Sequence, residues 1–264
     1  MKNKIYILLI IFIILFIYSG SLLLNWYMEN HRINKETKEI KEIINIEEQY
    51  PEDIELINPP QNEDDDYWDF IKMPFINVDL TQLQKINSDT VGFISINGTN
   101  INYPFVQTTN NEFYLNHSFR KNRNRAGWIF MDYRNDALNI DKNTILYGHS
   151  RANRTMFGTL KNILETNWVN NRNNHIIRLS TVNGDSLWQI FSVYTIPIEI
   201  YYLNINFIND KEYNDWLQTI LSRSEHNFNT TLNTDDRVLT LSTCTGTNNT
   251  QRIVLHAKLL KRTN

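Results

Sequence analysis

A chain of 264 residues holds one ordinary globular domain with a sizeable core, and not comfortably two. Its hydrophobic share of 41%, with 13 Phe, 13 Tyr and 6 Trp, excludes a disordered chain, because that much apolar surface can offset chain entropy. A net charge of −3 with scattered basic residues supplies no phosphate-neutralising face, which argues against nucleic acid as a partner, and a single cysteine excludes an internal disulfide.

Residues 5–24 form an almost unbroken apolar run, and about 20 such residues at the helical rise match the ~30 Å hydrocarbon core of a bilayer. The run is longer than a usual signal-peptide core and no small-residue cleavage site follows it, so residues 1–25 are expected to be an uncleaved membrane anchor. Lys2 and Lys4 favour a cytoplasmic N-terminus and an external C-terminal domain, while His31, Arg32 and Lys35 on the far flank oppose that vote. From Trp26 to Tyr50, Lys and Glu alternate with Ile33, Ile40, Ile43 and Ile44 at helical spacing until Pro51 stops the pattern. This predicts a solvated stalk helix holding a domain off the membrane. Pro59, Pro60 and the acidic residues 63–66 follow as linker, with the acids placed to favour a short helix near 67–71. Stalk and linker are thus assigned to 26–66, and the main domain to 67–264.

After Asn87 the texture changes to short β-like runs separated by Asn, Gly and Asp, at 91–96, 101–106, 127–132, 144–147, 175–180, 187–196, 237–242 and 253–260. Eight short strands predict a mostly β domain, a barrel or a sandwich. Asn97-Gly98 between the first two is a hairpin turn, since both residues tolerate positive φ. Helical stretches are expected at 156–166 and 211–222. The second carries Tyr213, Trp216, Leu217 and Ile220 on one face, a pattern of core packing. The chain holds no repeat and no Gly-rich phosphate loop.

Cys244 follows an apolar, β-branched segment and precedes the polar stretch 245–249, so it sits where a strand ends. A lone cysteine is more often a small buried hydrophobe than a nucleophile. Strand ends, however, are where a rigid scaffold presents side chains to substrate. A free thiol titrates near about 8.5, so a nucleophilic one needs a cation or base beside it. Arg252 opens the next strand, eight residues on, and the intervening loop lets antiparallel strands set it next to Cys244. There it is either a surface ion-pair partner or a fixed donor for a thiolate and an oxyanion. His149 ends the segment Thr144-Ile-Leu-Tyr-Gly-His, again a strand meeting a turn, and is the best general acid or base. His31, His117, His175 and His226 lie in polar or strand-start settings and read as surface residues, and His256, inside the last strand, as structural. One Cys and scattered His offer no pair at ligand spacing, so neither a metal nor another cofactor is expected.

Thr240-Leu-Ser-Thr-Cys244 with Arg252 downstream, and Tyr147-Gly-His149 upstream, resemble the signature of sortases, the transpeptidases that attach surface proteins to Gram-positive walls. The resemblance extends through Asn100-Ile-Asn-Tyr-Pro-Phe-Val-Gln107, Phe130-Met-Asp-Tyr-Arg-Asn135 and Thr155-Met-Phe157, and covers roughly the whole chain after the linker. Class B is the subclass most similar, judged by Ser242 within the Cys motif, the N-terminal helices and a helix inserted between Ile205 and Leu232. The resemblance implies an eight-stranded β-barrel in which His149, Cys244 and Arg252 meet in one cleft. It implies further that the Cys244 thiolate attacks a threonine carbonyl in a C-terminal sorting signal and forms a thioester. His149 would serve the leaving and the incoming amine, usually a peptidoglycan cross-bridge. Arg252 and the backbone N–H of Thr245 would hold the oxyanion. Tyr147, Ser242, Asn111 and Leu115 would line the signal-binding groove. Asp132, after the strand at 127–131, either orients His149 as a third group or caps a turn.

Two other readings are weighed against this one. Papain-like and cell-wall cysteine hydrolases place Cys before His, usually on a helix, and caspase-like proteases need a Gln-Ala-Cys signature that is missing. A non-enzymatic, wall-binding β-domain would bury Cys244 without using it.

Overall fold

The structure, a computed structural model, describes residues 2–62, 64–245 and 250–263, and the side chains of residues 2, 3, 244 and 245 fall outside that description. Helix α1 (Lys2–Ile43) runs unbroken from the apolar stretch into the charged one, with no proline before Pro51 to stop it. Its second half is not a solvated spacer. Ile33 and Ile40 are 0% exposed and Thr37 is buried. The spacing of these residues sets them on one face, and the two isoleucines join the main core with Leu80 and Leu83 of α3 (Leu80–Ile86). Lys35, Lys38 and Glu42 occupy the exposed face, while Glu36, Glu39 and Lys41 flank the buried one and reach Arg120 and Tyr103, so one amphipathic pattern serves both readings and only the packing separates them.

The helix also ends earlier than its spacing predicts. Residues at the end of the expected stalk form β1 (Ile46–Gln49), paired antiparallel with β3 (Phe75–Val78) from Ile46 opposite Val78 to Gln49 opposite Phe75. Part of the expected linker forms β2 (Ile54–Leu56), which adds to the end of the last strand with Leu56 opposite Lys261. Ladder bonds to distant partners decide both segments, and no local pattern reveals them. The short helix α2 (Tyr67–Phe70) forms where expected, and Asp65 Oδ1 accepts from the Tyr67 N–H at 2.9 Å at its start.

The remaining strands are β4 (Thr90–Ile96), β5 (Asn102–Val106), β6 (Phe130–Met131), β7 (Asn143–Tyr147), β8 (Ile176–Thr181), β9 (Gly184–Pro197), β10 (Val238–Thr245) and β11 (Gln251–Thr263). They run in the order β10-β7-β6-β5-β4-β8-β9-β11, and β11 returns to pair with β10, so the eight strands close into a barrel. Closure removes the open edges of a sheet of this size. The Asn97-Gly98 turn joins β4 to β5 as predicted, with Gly98 at φ 66°. β6 is shorter than the run predicted at 127–132, because Gly127 at φ 60° turns the chain just before it.

The helix expected at 156–166 does not form as one element. Met156 stands at φ 53°, outside the helical region. A 3₁₀ turn (Leu160–Leu164) and the single turn α4 (Thr166–Val169) follow it. Helix α5 (Asp210–Ser222) matches its prediction. Asn209 caps it by accepting from Glu212 N at 2.9 Å, while the Glu212 carboxylate accepts from Ile208 N at 2.6 Å. Its Tyr213, Trp216, Leu217 and Ile220 pack on Phe191, Tyr194 and Val254 of β9 and β11.

Among the histidines, His256 is 0% exposed and structural as expected. His175 is not a surface residue. It is 5% exposed, packed against Phe70, Trp168 and Phe228, and its Nε2 donates to the Val169 carbonyl oxygen at 2.7 Å.

Candidate active site

Three neighbouring strands bring the predicted trio to one end of the barrel. β10 runs parallel to β7, with Ser242 opposite Tyr147, and the Gly148 N–H reaches the Ser242 carbonyl oxygen at 3.3 Å. β10 also runs antiparallel to β11, and there Cys244 stands directly opposite Arg252. His149 lies two residues beyond Tyr147 and Cys244 two residues beyond Ser242, so parallel pairing carries both past the last registered pair to the same rim. The thiol of Cys244 and the side chain of Thr245 lie outside the described residues.

At this rim the barrel opens into a groove of about 290 Å³. Asn111, Leu115, Tyr147, His149, Ser242 and Arg252 all line it. Leu115 is 42% exposed, an apolar side chain presented to solvent at the groove wall. The Ser242 hydroxyl is buried and lies 2.9 Å from the hydroxyl of Tyr202, so its side chain serves the groove floor rather than solvent. His149 Nε2 lies 2.7 Å from the Leu115 carbonyl oxygen. A carbonyl oxygen only accepts, so Nε2 carries a proton and Nδ1 is the nitrogen left to take or give one.

Among the described residues no hydrogen bond joins Asp132 to His149. Its carboxylate is 0% exposed and is occupied by others. Oδ1 accepts from the Arg134 N–H at 3.0 Å and from Arg134 Nε at 2.9 Å. Oδ2 accepts from Arg134 Nη2 at 2.7 Å, from the Tyr147 hydroxyl at 2.8 Å and from Asn111 Nδ2 at 3.0 Å. Burial alone would raise this carboxyl, but the bonds from Arg134 and Tyr147 outweigh it and hold the group below the usual carboxylate range. Burial, and then the Asp132 charge, push the Tyr147 phenol above its ordinary value, so it stays a donor.

One wall of the groove was not anticipated. Residues 198–203, between β9 and α5, contribute Ile198, Ile200, Tyr202 and Leu203. Ile198 and Ile200 are 62% and 80% exposed, unusual for apolar side chains at a cleft unless something covers them. The segment is held at both ends. Arg223 pairs with Glu199 at 3.0 Å and lies 4.1 Å from the Tyr201 ring, Trp216 Nε1 donates to the Tyr201 carbonyl oxygen at 3.0 Å, and Arg134 Nη2 donates to the Leu203 carbonyl oxygen at 3.2 Å. The alternation of isoleucine and charge at 198–200 signals it in the sequence only once the barrel is known.

A family profile described as the Sortase domain matches residues 94–260. The sortase B of Staphylococcus aureus (strain NCTC 8325 / PS 47) is 38% identical over 181 residues, which span 68% of this chain and 73% of that protein. A solved Staphylococcus aureus sortase B–substrate complex is similar with a TM-score of 0.64 and 38% identity, covering 68% of this chain and 83% of that one. Sortase B from B. anthracis in complex with AAEK1 is similar with a TM-score of 0.70 at 33% identity, over 89% of this chain and 100% of that one.

Proposed function

Because the chain belongs to the sortase family, as a class B cysteine transpeptidase, we propose that it cleaves a C-terminal sorting signal after threonine and transfers the upstream protein to a peptidoglycan amine. The observation that carries this reading is the Cys244–Arg252 register at the mouth of the groove that His149 lines. The Cys244 thiolate attacks the threonine carbonyl carbon, and the carbonyl oxygen takes the negative charge. The Arg252 guanidinium and the Thr245 N–H stabilise that oxyanion, a single donor of this kind being worth about 2.7–4 kcal/mol. The C–N bond breaks as His149 gives its proton to the departing amine, leaving a thioester. An incoming amine then attacks the thioester, His149 takes its proton, and the thiolate departs.

The groove suits an extended peptide. Exposed Ile198, Ile200 and Leu115 offer apolar contact, and Asn111 and Tyr147 line the same groove. α1 is long and apolar enough to cross a membrane, and in this reading it anchors the barrel on the outer face of the cell, with Lys2 and Lys4 inside.

The test incubates the full chain with a peptide bearing a sorting signal, with and without an amine such as triglycine, and follows products by mass spectrometry. A thioester adduct on Cys244 and an amine-linked product, both absent in Cys244→Ala, are expected. Cleavage at equal rate with no amine adduct would assign proteolysis instead, and an intact peptide with an unmodified Cys244 would favour the wall-binding alternative.

A further inference from the structure

α1 passes from a run of exposed apolar side chains directly into the face that packs on the barrel, with no linker between. Glu29 and Asn30 stand five and six residues beyond Leu24, about 7.5–9 Å along the axis at the helical rise. That is the outer edge of the headgroup layer, which extends about 5–7.5 Å beyond each side of a ~30 Å hydrocarbon core. Between them and the apolar run stand Trp26 and Tyr27, each 63% exposed, at the level where aromatic side chains prefer to sit.

Two loops of the barrel meet the helix at this depth. Asn124 Nδ2 donates to the Glu29 carbonyl oxygen at 3.1 Å, the Arg151 guanidinium donates to the Asn30 amide oxygen, and Asn153 Nδ2 donates to Asn34 Oδ1 at 3.2 Å. Those loops carry Arg123, Arg125, Arg151 and Arg154, and the helix adds Arg32. The neighbouring Arg120 and Lys121 are neutralised by Glu39 at 3.5 Å and Asp89 at 2.9 Å. None of the five arginines has a carboxylate within ion-pair distance among the described residues. A cleft of about 510 Å³ between Trp26, Tyr27 and Arg151 opens at the same level.

We propose that the exposed Arg32, Arg123, Arg125 and Arg154 form a docking surface for anionic phospholipid headgroups of the membrane that α1 crosses, while Arg151, half-buried and donating to Asn30 and Thr155, holds its loop against the helix. The proposal rests on α1 being the anchor. Guanidinium groups bind phosphate oxygens through paired donors, and their attraction to a negative surface decays within a Debye length, so only cations held within about 10 Å of the headgroups contribute. The same loops lead into the groove, since Arg151 follows His149 by two residues and Arg125 precedes Gly127, against which His149 packs. Docking therefore holds the groove close to the bilayer surface and in one orientation, where a single tether would leave the barrel free to tilt.

The experiment places the full chain in nanodiscs of phosphatidylcholine alone and of phosphatidylcholine with phosphatidylglycerol, and follows hydrogen exchange. In the anionic discs, segments 121–126 and 150–155 should exchange about tenfold more slowly than in the neutral ones. That protection should vanish at high salt and in the R123Q/R125Q/R154Q variant, whose turnover of a soluble peptide in detergent checks that it is folded. Equal exchange of the loops in both lipids, with residues 5–24 protected, overturns the docking surface and leaves the anchor standing. Free exchange of residues 5–24 in both discs overturns the anchor, and the docking surface with it.

Discussion

The Tyr147 hydroxyl donates to Asp132 Oδ2 at 2.8 Å, and the same oxygen accepts from Asn111 at 3.0 Å, so two walls of the groove hang from one buried anion. Arg134 neutralises that anion and, through its bond to the Leu203 carbonyl, ties it to the third wall. Asp132→Asn keeps the shape and removes the charge. The expected outcome is a loss of about 2 kcal/mol of stability, a several-fold rise in KM for a sorting peptide and an unchanged pH profile of kcat. A shifted profile at constant KM would show instead that Asp132 acts through His149. The carboxyl is held low in the folded state, so its stabilisation is whole above about pH 3.9 and is lost as pH falls through the folded value.

Gly127 stands at φ 60°, and a Cβ there would lie 2.5 Å from the Tyr114 carbonyl oxygen and 2.9 Å from both His149 Cδ2 and the Leu115 carbonyl oxygen. Gly127→Ala is expected to destabilise by about 1–3 kcal/mol. It should also lower kcat/KM by about tenfold or more under conditions where the protein remains folded, because small misplacements of a catalytic group are costly. Gly20→Ala, where nothing lies within 4 Å, is the control. Activity equal in the two variants would mean that His149 tolerates the displacement.

α1 beyond the apolar run belongs to the barrel's core, so Ile33→Ala and Ile40→Ala should each cost about 2–4 kcal/mol in thermal or urea unfolding. Ile43→Ala, at a site 41% exposed, should cost much less. Equal, small effects at all three positions would restore the solvated stalk.

Burial holds His256 down to about 3, with Tyr194 at 2.8 Å and Thr240 at 2.9 Å on its two nitrogens. Its unfolded value is near about 6.5, so between the two the unfolded chain binds the extra proton. The stabilisation from the neutral ring is whole above about pH 6.5 and falls as pH drops toward 3, by up to about 1.4 kcal/mol per pH unit. Urea midpoints measured down that range should fall less steeply in His256→Gln. The slope should not vanish, because burial also lowers His175. An unaltered slope would place the acid sensitivity elsewhere.

Arg252→Lys keeps the charge and removes the planar fork of donors. A loss of about 10²-fold in kcat with little change in the unfolding midpoint is expected, and wild-type turnover would remove Arg252 from the chemistry.

The sequence read alone carried the eight barrel strands, the Asn97-Gly98 hairpin, α5 and the strand-end positions of His149, Cys244 and Arg252, because each has a local signature. A strand shows its alternation or apolar run, a hairpin its positive-φ pair, and a helix its 3.6 period. It could not show β1, β2 or the docking of α1, because those depend on partners 26 to 209 residues away and their own patterns suit solvent as well as packing. The helix expected at 156–166 failed for the converse reason, a turn at Met156 that no local preference announces.

Asp132 marks the boundary most clearly. Its place after a strand allowed both a histidine partner and a turn cap, and the sequence holds nothing to choose between them. The choice was made by Arg134, Tyr147 and Asn111 converging on one carboxylate in space. By itself the sequence determined which residue types stand at strand ends, since strand ends follow from local chain preference. Only the tertiary structure decided which of them share a groove, because burial and hydrogen-bond satisfaction act between residues that the chain keeps far apart.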